Sequence, residues 1–221
     1  MAFFAKGKER DFQTIETEEV VTPKQTSTPE PSGTTISKNI KFEGNISGTD
    51  AIHIEGILLG DITVNTVVIG KNGTVTGSIT AQKVIISGQV NGAVTCNDLN
   101  IMQTGYVTHT VHANTVILSG EIMGNILAEN SINITHTGKI KTNSLHSKRI
   151  TVNGKIEGKV TASELLEVGS NGFVNGEISV KNIKTDEGGR VIGSMAMYSE
   201  PQTQKPNNHK QEPKVIDTVI A

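Results

Sequence analysis

The chain has 221 residues, a formal net charge of −2 and only 3% aromatic residues, with isoleucine and valine dominating its apolar content. That balance leaves no basic field of the kind nucleic acid requires, and no run of about 18 apolar residues is present to span a bilayer. A single cysteine excludes a disulfide framework, and a start without a long apolar stretch or small-residue cleavage site predicts a cytoplasmic protein.

Residues 1–12 read as a short targeting segment, with Phe3 and Phe4 set beside Lys6, Lys8 and Arg10. Rings of this kind insert at a bilayer surface while the cations meet anionic headgroups, at ~1 kcal/mol per cation. The residues are equally compatible with an unstructured start. Residues 13–36 are rich in Thr, Glu and Pro, including Pro23, Pro29 and Pro31. Such a stretch buries too little apolar surface to offset chain entropy, and a disordered linker is expected.

From about residue 37 to residue 197 the unit Gly-x-(Ile/Val)-x-Gly-x-(Ile/Val) recurs. Its clearest copies begin at Gly56, Gly73, Gly88, Gly120, Gly154 and Gly172, with looser copies at Gly44, Gly105, Gly138 and Gly189. The intervals average about 16 residues, a period that signals stacked units, none able to bury its apolar face alone. The first interval, Gly44 to Gly56, is the shortest. Later units alternate in length, and the longer ones carry a turn before the glycine, as in Gly70-Lys71-Asn72 and Met102-Gln103-Thr104.

Within each unit apolar residues alternate with period two. The first strand points pairs such as Ile52 and Ile54, Val84 and Ile86, or Leu166 and Val168 to one side. A second short strand supplies residues such as Leu58, Val90 and Val174. A third supplies Ile62, Val94 and Ile178, often followed two residues later by a small side chain such as Ala81, Cys96 or Ala113. Three inward columns separated by glycine corners predict an all-β fold: a right-handed, three-sided parallel β-helix, or solenoid, of about ten rungs. The rung beginning at Gly138 departs from the pattern. Thr142, Ser144 and His146 stand at core-like positions and Leu145 falls one position out of phase, so a bulge is expected there.

Signatures of catalysis are missing. There is no phosphate-cradling loop, no zinc-protease motif and no nucleophile elbow. The six histidines are scattered over different units, the turns lack repeated aspartates, and Cys96 falls on an inward column as a small core residue. No catalytic, cofactor-binding or metal-binding residues are assigned.

The middle residue of each first strand points outward, and its N-terminal half is partly apolar through Val68, Ile85 and Ile117, a candidate lateral partner face. Scattered surface hydrophobes are the competing reading. A parallel stack leaves unpaired backbone groups on its first and last rungs, and solitary solenoids cover them with a capping element. Here no amphipathic capping helix is legible. Ile40, Phe42 and Ile46 at one end, and Phe173, Val191, Ile192, Met195 and Met197 at the other, form a candidate polymer interface. Residues 198–221 return to a polar, Pro-containing tail that closes on Val219 and Ile220.

In the combination of this rung length, the glycine units, the absent catalytic groups and the Phe/Lys-bearing start, residues 36–197 with their flanking tails resemble the bactofilin family of bacterial cytoskeletal proteins. The resemblance implies a right-handed β-helix that polymerises without nucleotide through contacts between like ends. It implies membrane attachment through Met1, Phe3, Phe4, Lys6 and Lys8, and a scaffolding role toward cell-wall and morphogenesis proteins. No cofactor is implied. The rival reading is an enzyme on a left-handed β-helix, such as a hexapeptide acyltransferase; its six-residue repeat would give regular 18-residue rungs, against which the alternating spacing argues.

Overall fold

The structure, a computed structural model, describes residues 33–199. The targeting segment, all of the expected linker before Gly33 and the tail beyond residue 199, including Val219 and Ile220, lie outside the described residues. Every strand pairs in parallel with its counterparts in the adjacent rungs, those of the first and last rungs on one side alone, and the described residues contain no helix. Three ladders result. The first runs from Gly33–Ile36 to Ile183–Thr185. The second runs from Lys41–Glu43 to the start of Arg190–Met197, and the third from Ile46–Ser47 to the end of that same strand. Each ladder has ten members, so the molecule is a parallel β-solenoid of ten rungs. The first strand lies within the last four residues of the expected linker: Ile36 is buried against the second rung, and its pairing to Ile54 orders the chain from Gly33.

The core follows from period-two alternation on stacked strands. Ile54, Ile69, Ile86, Ile101, Leu118 and Ile134 occupy successive positions of one inward column and are completely buried. Each such side chain contributes roughly 1.5–3 kcal/mol relative to exposure. β-branched residues suit this role because they pack against like neighbours ~4.8 Å above and below.

Two corners are closed by glycine, for different reasons. At the corner between the first and second ladders, a Cβ on Gly88 would drive into the carbonyls of Gly73 and Gly70 on the rung before it. The need there is for space. At the corner between the second and third ladders, Gly77 has φ 141° and its Cβ would strike the Gly60 carbonyl. Here both space and a backbone conformation closed to L side chains require glycine. Gly44 belongs to this second column, with φ 139° and its carbonyl against Gly60. It does not lead a repeat unit. Ile40 holds the leading position of the first rung, its carbonyl against Gly56, and the short first interval arises from counting across two columns.

The alternation in unit length is a matter of turns. In the third, fifth, seventh and ninth rungs, and again in the tenth at Gly189, a turn closes on the corner glycine, as where the Gly73 N–H donates to the Gly70 carbonyl at 2.9 Å. The intervening rungs pass directly from strand to glycine and nest against the turn of the rung before.

The seventh rung carries the expected bulge, but Leu145 is not out of phase. The register shifts between Thr142 and Leu145, and Leu145 lands opposite Ile126 and Val160, fully buried. One extra residue in the corner moves the following strand back into register. Thr142 then replaces the corner glycine, and Ser147 takes the place held by Ala162 in the next rung. Both are buried and hydrogen-bonded locally: Thr142 Oγ1 accepts from the Ser144 N–H at 3.1 Å, and Ser147 Oγ donates to the Arg149 carbonyl at 3.3 Å.

Candidate functional site

The two ends of the stack are its most distinctive surfaces. Phe42 occupies the same inward column as Leu58, yet Phe42 is 38% exposed and Leu58 completely buried. At the opposite end Met195 and Met197 continue the columns of Ile178 and Val180, and are 53% and 83% exposed. Side chains aimed into a core but covered from one side alone mark an unfinished stack. Ile46 and Val191 are half-buried at the two ends. The backbone repeats the message, since among the described residues the terminal strands have a ladder partner on one side alone.

Ile40 gives the first end a further property. Each glycine below the first-to-second corner lies against a carbonyl of the rung before it, and Ile40 stands at the head of that column with no rung before it among the described residues. A preceding rung docked in the same register would meet the Ile40 Cβ as Gly56 would meet the Ile40 carbonyl. At the other end Ile192 is exposed on the outer side of the last rung. Phe173 lies one rung inside that end on the flank, half-buried, with the Lys155 ammonium 5.5 Å from its ring centroid.

The first ladder brings His53, Val68, Ile85, Asn100 and Ile117 into one outward column. Val68 and Ile85 are direct neighbours and half-buried; Ile117 is exposed and separated from them by Asn100. The register also collects a group that spacing along the chain does not reveal. Lys139, Lys155, Phe173 and Arg190 are successive partners on the outer side of the second ladder, with Lys141 beside them. The only signal in the sequence is the residue preceding each core residue of the second strand, and reading it requires the corner lengths to be known.

Among the described residues, groups capable of chemistry stand singly or in pairs. Burial, and then the neighbouring Asp98 charge, push the Cys96 thiol up to about 12, so it stays protonated and unreactive at neutral pH. Glu55 is held below the usual carboxylate range by the Asn72 amide and then by His53, whose ring lies 3.3 Å away. No group of three or more His, Cys, Asp or Glu side chains able to hold a metal ion occurs among the described residues. An open groove along the corner between the third and first ladders is lined by Thr63, Asn65, Thr80, Gln82, Thr95 and Asn97, with Cys96 its sole ionisable group. Exposed ion pairs such as Lys184 with Glu167 at 2.6 Å join adjacent rungs, each worth little in water.

A family model described as Bactofilin, polymer-forming cytoskeletal, matches residues 34–119 and again residues 111–196, together spanning the ten rungs. Comparison with curated proteins and with solved structures found no match.

Proposed function

The chain belongs to the bactofilin family of polymer-forming cytoskeletal proteins, and from that premise we propose that it is a non-enzymatic scaffold assembling end to end, without nucleotide, into filaments. The observation that carries this reading is the pair of open ends, where Phe42, Met195 and Met197 extend core columns into solvent. A second copy stacked on either end removes apolar surface from water at about 25 cal/mol per Å² and pairs the free backbone groups.

Contacts between like ends fit best, because a head-to-tail joint in continuous register would force the Ile40 Cβ against the last rung's corner carbonyls. The filament would lie at the inner face of the cytoplasmic membrane, held by Met1, Phe3, Phe4, Lys6 and Lys8. No helix among the described residues is long and apolar enough to cross a membrane. The Val68, Ile85 and Ile117 column would recruit proteins of cell-wall or cell-shape morphogenesis. Pelleting in the absence of nucleotide, followed by electron microscopy, tests the central claim. Filaments are expected; monomers at every salt concentration would overturn it.

A further inference from the structure

The outer side of the second ladder divides along the stack. From the second to the fifth rung, from Ile57 and Leu59 through Gln89 to Tyr106, it carries no charged residue. From the seventh rung onward it carries Lys139, Lys141, Lys155 and Arg190, all exposed, around Phe173. Two carboxylates border these cations: Glu157, which pairs with Lys155 at 2.6 Å, and Glu121 on the sixth rung, the register partner of Lys139. Lys139 to Arg190 covers three rung steps, about 14 Å, along a flat sheet face.

We propose that this flank lies on an anionic lipid surface, as a second membrane contact made by the solenoid body. Four cations within reach of one plane match phosphate and carboxylate headgroups, each at short range worth a share of the binding. Phe173, held among them, places a ring at the boundary between headgroups and acyl chains. The neutral half with Ile57, Leu59 and Tyr106 continues the same flat side into a surface that tolerates partial burial in that boundary. Nucleic acid would engage the cations and leave this neutral half without a role. One copy supplies few cations and binds weakly, and a polymer presents the flank repeatedly and gains through effective concentration. The inference rests on the filament reading for that gain alone, and it uses residues distinct from the N-terminal tip.

Vesicle flotation of the full-length chain separates these contacts, using vesicles of about 30% phosphatidylserine in phosphatidylcholine and vesicles of phosphatidylcholine alone. The Lys139→Gln, Lys155→Gln, Arg190→Gln variant should lose about five-fold or more of its binding to the anionic vesicles, with a shallower salt dependence. Phe173→Ala should weaken binding on its own. A Lys38→Gln, Lys71→Gln, Lys83→Gln control, with its substitutions elsewhere on the solenoid, should float as the parent does. Pelleting without vesicles should stay unchanged in the lysine and arginine variants, which keeps failure of assembly distinguishable from failure of the flank. Loss of flotation in Phe3→Ala, Phe4→Ala alone, with the flank variant floating as the parent does, assigns binding to the tip and overturns the proposal. So does equal flotation on uncharged vesicles. Binding of the flank cations to a DNA duplex, without flotation on anionic vesicles, overturns it as well.

Discussion

Leu145 is the register partner of Ile126 on one side and of Val160 on the other, although it follows its rung's previous core residue, Ile140, at a longer spacing than Ile126 follows Ile122. The extra residue is absorbed in the corner at Thr142–Ser144, where a β-bulge leaves the inward column unbroken. Core continuity therefore outranks corner regularity in this solenoid.

That relationship sets the cost of substitution in the seventh rung. Leu145→Ala should destabilise by ~2–5 kcal/mol, as for other fully buried leucines. Asn143→Ala, at an exposed position in the bulge, should stay within ~0.5 kcal/mol. Urea unfolding of the two variants checks the assignment, and the reverse order would return Leu145 to the surface.

The glycines divide by what surrounds them. Gly88→Ala should cost about 1–3 kcal/mol or more, because the new Cβ meets rigid backbone carbonyls of Gly73 and Gly70. At Gly48 nothing lies within 4 Å of a built Cβ, so Gly48→Ala should be neutral or stabilise by ~0.4–1 kcal/mol through the unfolded chain. Thermal and urea midpoints measured side by side decide this.

Charging an open end should stop assembly without unfolding the rungs. Met195→Arg places a cation where the inward column meets solvent at 53% exposure, so circular dichroism should be retained while pelletable protein falls about ten-fold. Phe42→Arg should act likewise at the other end. Normal pelleting by both variants would remove the ends from the polymer interface.

Charging the lateral column should separate assembly from recruitment. The Val68→Glu, Ile85→Glu, Ile117→Glu variant should form filaments of ordinary length and lose captured partners in co-sedimentation, since a docking apolar surface would strip water from unpaired carboxylates. Unchanged partner capture would return these residues to scattered surface hydrophobes.

Cys96 gives a pH dependence with a definite sign. Its folded-state pKa is raised to about 12 from an ordinary 9.0, chiefly by burial, so the native state favours the protonated thiol. That contribution is fully present below about pH 9 and is lost as pH rises from there toward about 12. Cys96→Ala should therefore flatten the alkaline limb of a stability–pH curve, and the parent thiol should resist alkylation at pH 8 until denaturant is added. Rapid alkylation of the native protein would contradict the burial argument.

Much of the fold was legible because its signals are local. Alternation of side chains along a strand placed Ile52, Ile54 and their successors on one face, and recurring glycine announced corners too crowded for a Cβ. These depend on geometry within a few residues, which the sequence carries directly. The extended, polar character of the first rung's entry was misread at Gly33–Ile36, where only the pairing of Ile36 with Ile54 supplies order.

Residue pattern alone establishes that the chain stacks in three inward columns. Which residues become neighbours across rungs depends on the tertiary structure, because hydrogen-bond register joins positions 15 to 19 residues apart through corners of unequal length. That register moved Gly44 into the second glycine column, returned Leu145 to the core and gathered Lys139, Lys155, Phe173 and Arg190 onto one flank. It also gave the ends their character: Phe42 and Met195 are core residues in pattern, and the absence of a further rung within the described residues leaves them exposed.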